Sequence, residues 1–198
     1  MFYIRFFLVT FWFLFASFLV LILGLLKPII FWRMTDLNQD YARLFAWGAL
    51  KILGIRVQIE GDFYIESEKP AIYVANHQSG LDIATFGEFF PKQTVIIGKK
   101  EIAWIPVFGW IYFLAGNVFI DRKKTTRAVA GLLEVVEAIK RKRVSVWMFP
   151  EGTRNSSGQG LLAFKKGAFH AAVQAQVPIV PLVQSPLIRL VSWKERRI

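Results

Sequence analysis

The chain contains no cysteine among its 198 residues, which excludes a disulfide framework, a thiolate metal site and a cysteine nucleophile. It holds only two histidines, His77 and His170, 93 residues apart, so a histidine-built metal centre is not expected. No G-x-S-x-G nucleophile elbow occurs either. Acidic residues are scarce: 14 Asp and Glu stand against 25 Lys and Arg, a formal net charge of +11. That balance favours an anionic partner, whether nucleic acid, acidic lipid head groups or an acidic protein. Internal repeats and low-complexity linkers are also missing. A chain of this length accommodates one α/β domain plus an appendage and is short for two full domains.

Apolar residues, by contrast, are plentiful at 55%. Much of the excess is N-terminal. Phe6 to Leu26 is a run of 21 residues without a charge. As a helix rising ~1.5 Å per residue, it spans roughly the 30 Å of a bilayer core. The run is long for a cleavable signal peptide, and the "LGLLKPII" around its end offers no small-residue cleavage site. Arg5 precedes it and Lys27 and Arg33 follow it, so the positive-inside rule sets no orientation. A spanning helix and one that enters a single leaflet both satisfy that pattern. Thr10, Ser17 and Gly24 fall seven apart, an expected packing stripe of small residues. Leu37 to Leu53 reads as a second helix with a thin polar stripe of Asp40, Arg43, Trp47 and Lys51. Its other faces carry Leu44, Phe45, Leu50, Ile52 and Leu53, which suits a helix lying in the membrane interface. Beside a membrane segment, the basic clusters at Lys99-Lys100, Arg122 to Lys124, Lys140 to Arg143 and Lys194 to Arg197 favour lipid over nucleic acid.

After Gly54 short β-rich runs alternate with helical patterns. Arg56 to Ile59, Ala71 to Ala75, Thr94 to Ile97, Val118 to Ile120, Val144 to Phe149 and Ile179 to Val183 read as strands. Several are continuously apolar, as in strands covered on both faces. Leu81 to Phe89, Thr126 to Arg143 and Lys166 to Ala175 read as helices. The expectation is an α/β fold: a largely parallel or mixed central sheet flanked by helices, preceded by an N-terminal two-helix membrane motif. The division falls at residues 1–54 for the membrane-associated helices and 55–198 for the α/β domain. Ile102 to Ala115 carries no charge but five aromatics, Trp104, Phe108, Trp110, Tyr112 and Phe113. It is too short to span and reads as core, as the wall of a channel for an apolar chain, or as a dip into the membrane.

In such folds ligands sit beyond the carboxyl ends of the strands. Three polar clusters fall there: "NHQSGLD" after Ala75, "DRKK" from Asp121 to Lys124, and "PEGTRNSSGQG" from Pro150 to Gly160. With His77 at a strand end and Asp82 in the first turn of the next helix, the carboxylate can reach one imidazole nitrogen. It then fixes the tautomer and leaves the other nitrogen to accept a proton. Since no nucleophile is paired with this base, the proton comes from a substrate hydroxyl. Arg154 and Arg122 offer guanidinium forks suited to a phosphate or carboxylate, and Gly152 permits the tight turn that aims the former. A base, an anion clamp and an apolar wall beside a membrane describe acyl transfer to a phosphate-bearing lipid alcohol. His170 lies mid-helix without an acid at matching spacing and reads as structural.

Four blocks in order, "NHQSGLD", "GNVFIDR", "FPEGTR" and "VPIVPLV", resemble those of the 1-acyl-sn-glycerol-3-phosphate acyltransferases of the glycerolipid acyltransferase superfamily. The likeness runs from about Ile72 to Val183. It implies that His77 is the base, Asp82 its partner and Arg154 a phosphate ligand. Glu151, Gly152 and Thr153 would shape the acceptor site, with Arg122 and Lys99 adding positive charge. It implies no metal or prosthetic group. The donor would be a fatty acyl thioester on coenzyme A or acyl carrier protein, the acceptor lysophosphatidic acid, and the product phosphatidic acid. The setting would be the phospholipid of a bacterial inner (cytoplasmic) membrane, with the site at its cytoplasmic face and no nucleic acid involved. The family continues past its fourth block with more strand and helix. Here "LIRLVSWKERRI" shows no strand-and-turn pattern, so a shortened C-terminal part is expected.

Overall fold

The computed structural model describes residues 1–30, 36–61, 70–120, 125–157, 159–192 and 195–198. Its centre is a five-stranded sheet of β1 (Ile72–Ala75), β2 (Thr94–Lys99), β3 (Val118–Ile120), β4 (Ser145–Met148) and β5 (Ile179–Leu182). The strand order is β3-β2-β4-β1-β5 and every pairing is parallel. All five carboxyl ends therefore lie along one edge of the sheet. β1 sits between β4 and β5, with Ile72 opposite both Val146 and Ile179.

Side-chain alternation along the strands builds two cores. Ile72, Val74, Val95, Ile97 and Val146 point to one face. There they meet Val135, Ala138 and Ile139 of α5 (Thr125–Lys142) and Ala168, Ala171 and Ala175 of α6 (Gly167–Ala175). Tyr73, Ala75 and Trp147 point to the other face, against Phe86 of α3 (Asp82–Gly87) and Ala42 of α2 (Leu37–Leu53). With both faces covered, polar alternation has no place, which is why these strands read as unbroken apolar runs.

Helix α2 is a layer between the sheet domain and α1 (Phe2–Ile30). Its Tyr41, Phe45, Ala49 and Leu53 pack with Val9, Ala16 and Val20 of α1, Ala84 of α3 and Ile111 of α4 (Phe108–Leu114). Close approach of α1 and α2 depends on Gly48, where a Cβ would fall 2.1 Å from the Trp12 ring. The indole lies in that gap and its Nε1 donates to the Leu44 and Phe45 carbonyls at 3.2 and 3.3 Å. Ser17 and Tyr41 share a buried hydrogen bond of 3.2 Å between their hydroxyls, and burial raises the Tyr41 phenol above its ordinary value. At the C-terminal end of α2, Arg5 Nη1 donates to the Leu53 carbonyl at 3.1 Å, a cation where the helix dipole favours one.

Several expectations change here. Ser17 and Gly24 do face α2, but Thr10 is exposed and turns its hydroxyl back to the Phe6 carbonyl. The rest of the α1 contact is made by apolar residues at helical spacing, Val9, Trp12, Ala16 and Val20. The polar stripe of α2 is exposed as read, with Lys51 Nζ 4.4 Å from the Trp47 ring centre. Its apolar faces are covered by protein. Arg56 to Ile59 forms no strand, because Ile55 and Val57 turn onto the helical cluster instead of pairing with the sheet. The C-terminal segment holds a 3-10 turn at Leu187–Arg189 and one antiparallel bridge between Ser192 and Arg197.

Apolar surfaces stay uncovered at the N-terminal helix and beside it. The outer face of α1 presents Phe7, Phe11, Phe18 and Leu25, and residues Phe2–Leu26 are long and apolar enough to cross a membrane. The 102–115 segment is two-sided. Ile111, Tyr112 and Ala115 are buried, while Trp104, at 86% exposure, and Trp110 and Phe113 face outward. Phe108 packs on Phe13 of α1, ring centres 5.3 Å apart, so the segment is attached to the N-terminal helix.

Candidate active site

The parallel sheet delivers its polar clusters to one edge. β1 runs out into Asn76 and His77, and the chain turns at Gly80 and Leu81 before α3 begins at Asp82. His77 Nδ1 and Asp82 Oδ2 are 2.5 Å apart. Asp82 is 2% exposed, and its carboxylate is surrounded by donors. Oδ2 accepts the Gln78 amide N–H at 2.8 Å and Oδ1 accepts that of Ser79 at 3.1 Å. Oδ1 also accepts the Gln184 side-chain Nε2 at 2.7 Å. An ionised carboxylate only accepts, so the proton between it and the imidazole lies on Nδ1. Nε2 is left with its lone pair and has no hydrogen-bond partner among the described residues. The ring stacks on Phe149, centroids 4.1 Å apart at 17°, and keeps 21% of its side chain exposed. The result is an imidazole fixed on one side and open on the other.

The loop after β4 holds the backbone of His77. Glu151 is 3% exposed, and its Oε1 accepts the His77 N–H at 2.8 Å while Oε2 accepts the Leu162 N–H at 3.0 Å. The Asn155 N–H donates to the His77 carbonyl at 2.7 Å. Glu151 thus ties together the loops on which His77 and Leu162 sit. Gly152 has φ +69°, the left-handed region that favours glycine. A Cβ there would lie 2.9 Å from Lys165 Cε and Nζ. Thr153 and Arg154 follow on this turn and are exposed, and Arg154 has no ion pair or hydrogen bond among the described residues. Lys99, exposed, ends β2 one strand beyond β4 on the same edge. Arg122, with the rest of Asp121 to Lys124, lies outside the described residues. His170 is on the exposed side of α6 and is a surface residue, not part of the core. Among the described residues no group of three or more His, Cys, Asp or Glu side chains is placed to hold a metal ion.

Sequence reasoning missed the third wall, the segment after β5. Gln184 N–H donates to Asn76 Oδ1 at 2.9 Å, and Asn76 Nδ2 donates to the Gln184 carbonyl at 3.0 Å. Gln78 bridges the same segment, donating to the Gln184 and Ser185 carbonyls and accepting the Leu187 N–H at 2.8 Å. Asn76 and Gln78 flank His77 inside the first polar cluster, which was the available signal. Nothing local marks Gln184, because its contact requires knowing that β5 pairs with β1. Between these walls lies a cavity of about 230 Å³, lined by Asn76, Gln78, Glu151 and Gln184 on its polar side and by Leu161, Val183 and Pro186 on its apolar side.

An imidazole fixed through Nδ1 and open at Nε2 is suited to taking a proton from a hydroxyl. The chain belongs to the Acyltransferase family, whose sequence model matches residues 56–185. It is similar to the 1-acyl-sn-glycerol-3-phosphate acyltransferase of Escherichia coli (strain K12), 48% identical over 134 residues that cover 68% of this chain and 54% of that one. It is also similar to the mouse 1-acyl-sn-glycerol-3-phosphate acyltransferase alpha, 44% identical over 160 residues, 81% of this chain and 56% of that one. The crystal structure of the 1-acyl-sn-glycerophosphate acyltransferase PlsC from Thermotoga maritima superimposes with a TM-score of 0.69 at 31% identity, covering 91% of this chain and 74% of that one. The chain spans little more than half the length of the curated relatives it matches. The resemblance read from the four blocks therefore holds, as does the helix-flanked parallel sheet.

Proposed function

We propose that this protein transfers a fatty acyl group from an acyl thioester to the sn-2 hydroxyl of 1-acyl-sn-glycerol 3-phosphate, making phosphatidic acid. The observation that carries the chemistry is the His77 imidazole, held through Nδ1 by buried Asp82 with Nε2 open. The relatives' activity supports the choice of acceptor. Nε2 takes the hydroxyl proton as the oxygen attacks the thioester carbonyl carbon. A C–O bond forms and the C–S bond breaks. The proton on Nε2 goes to the departing thiolate of coenzyme A or acyl carrier protein, and Asp82 stays ionised, stabilising the imidazolium between the two transfers. Arg154, exposed and unpaired among the described residues, clamps the acceptor phosphate, with Lys99 and Arg122 adding positive charge. Glu151 and Gly152 shape the acceptor site through the loop they hold. Thr153 extends the same turn. No metal or prosthetic group takes part. The uncovered face of α1 beds in the phospholipid of the inner membrane, at its cytoplasmic side, where acceptor and product reside.

The test is direct. Purified protein in detergent is given lysophosphatidic acid, glycerol 3-phosphate or another lysophospholipid with each acyl thioester, and the lipid products are identified by mass spectrometry. Phosphatidic acid is expected from the first acceptor. His77→Ala should lose about 10²–10⁴-fold of the rate. A variant keeping more than about a tenth of wild-type rate refutes the general-base role.

A further inference from the structure

Gln184 joins the machinery of the His77–Asp82 pair from a different part of the chain. Its side-chain amide makes two short bonds. Nε2 donates to Asp82 Oδ1 at 2.7 Å, and Oε1 accepts from the Thr85 hydroxyl at 2.6 Å. The orientation is forced, since a carboxylate only accepts and the amide must turn its NH₂ toward it. The Gln184 backbone is fixed as well, by the reciprocal pair of bonds to Asn76. Side chain and main chain of one residue are thus tied to both sides of the loop that carries His77. Oδ2 serves His77 and Gln78, Oδ1 serves Gln184, and the Ser79 N–H is shared between them at 3.2 and 3.1 Å, so that the plane of the carboxylate is set for the imidazole.

We propose that Gln184 is a positioning residue for acyl transfer, holding the Asp82 carboxylate in the plane and charge state that keep His77 Nδ1 protonated and Nε2 available. This rests on the function proposed above. Without the amide, Oδ1 loses its shortest donor and the carboxylate can rotate about its χ2, weakening the 2.5 Å contact to His77. The titratable groups around Gln184 are Asp82 in contact, His77 beyond it, and Glu151 across the cavity.

Two near-isosteric variants separate this from a merely structural role. Gln184→Met keeps the length and removes both bonds. It should lower kcat by about five- to fiftyfold with both KM values changed less than about twofold, the pattern of an interaction used in the transition state. Gln184→Glu replaces the donor with an acid. When protonated it donates to Asp82 as the amide does. When ionised it sets two carboxylates against each other, which raises the pKa of one of them and disturbs the pair. The ratio of Gln184→Glu to wild-type activity should therefore fall by at least about tenfold between about pH 6 and about pH 9, and recover when the same sample is returned to the lower pH. Reversible loss cannot come from a misfolded chain, so this variant decides even where Gln184→Met folds poorly. The His77 Nδ1–H proton resonance gives a readout independent of turnover and should shift in both variants. Wild-type kcat in Gln184→Met, a pH-independent Gln184→Glu ratio, or an unmoved resonance each overturns the assignment. A wild-type protein that is inactive on the proposed acceptor, with the resonance still shifting in both variants, would sink the function and leave the brace standing.

Discussion

Replacing Asp82 by asparagine tests the site most sharply, because the surrounding donors dictate how an amide can fit. Asparagine puts an oxygen at one carboxylate position and an NH₂ at the other. With NH₂ at the Oδ2 position, it would face the Gln78 backbone N–H, 2.8 Å from that oxygen, and a backbone donor cannot reverse. It would also force His77 to carry its proton on Nε2, abolishing the base. With NH₂ at the Oδ1 position, the Ser79 N–H keeps the Oδ2-position oxygen, 3.2 Å away, and only the Gln184 amide faces the new NH₂. Gln184 can turn over, offering Oε1 to the new NH₂, and the Thr85 hydroxyl can accept from Nε2 in exchange. The second placement costs less. The carbonyl then stays opposite Nδ1–H and the productive tautomer survives.

What is lost is the charge. A hydrogen bond to a charged group is worth about 1.5–3 kcal/mol against about 0.5–1.5 for a neutral pair, and the imidazolium formed during transfer loses its counter-ion as well. A loss of about 1.5–3 kcal/mol in the transition state corresponds to about 10- to 150-fold in kcat, at about 1.36 kcal/mol per decade. In the serine-protease triad the same exchange costs about 10⁴-fold because the wrong tautomer results. The assay is kcat at saturating acceptor and donor, with phosphatidic acid quantified by mass spectrometry. A rate within twofold of wild type would show that the pair carries no catalytic function. A loss near ~10⁴-fold would show that the donors do not control the amide, and the orientation argument would be wrong.

Arg154→Ala should raise the acceptor KM far more than the donor KM, and Arg154→Lys should be impaired too, since an ammonium does not reproduce a bidentate fork; equal effects on both KM values in steady-state kinetics would count against a phosphate clamp. Substituting Phe7, Phe11 and Phe18 together by serine alters only the uncovered face of α1 and leaves its contacts with α2 in place. Binding to anionic vesicles in a flotation assay should drop by at least about tenfold, with the melting temperature in detergent little changed, and undiminished binding would remove α1 from the membrane contact.

Much of this arrangement is legible in the sequence. Continuous apolar runs bounded by polar clusters located five strands nearly to the residue, because strands covered on both faces leave that pattern. His77 and Asp82 were identified from residue type and position alone, and they are in contact. The failures share a cause. Arg56 to Ile59 has the composition of a strand but packs against helices, and composition does not say which surface will claim an apolar residue. The α2 helix has an amphipathic pattern that fits a membrane interface equally well as a protein interior. Its apolar side packs on α1, with Trp12 set into the Gly48 gap. For Glu151 the sequence does not show the means, since its two oxygens accept the backbone N–H groups of His77 and Leu162, which only the folded loops bring together. Gln184 left no trace because its meaning depends on a strand pairing across the sheet.

The five-residue step from His77 to Asp82 shows why spacing alone is a weak predictor of contact. On a regular helix, residues five apart point about 140° away from each other, given ~3.6 residues per turn, and these side chains would not meet. They meet because residues 78–81 form a turn and not a helix. That turn is held by Asp82 itself, which accepts the N–H groups of Gln78 and Ser79, and by Ser79, whose hydroxyl accepts the Leu81 N–H at 3.0 Å. The carboxylate that orients the imidazole therefore also folds the loop that brings the imidazole to it. A substitution at Asp82 acts on both, which is why the asparagine exchange, sparing the loop donors and removing the charge, separates the two roles where alanine cannot.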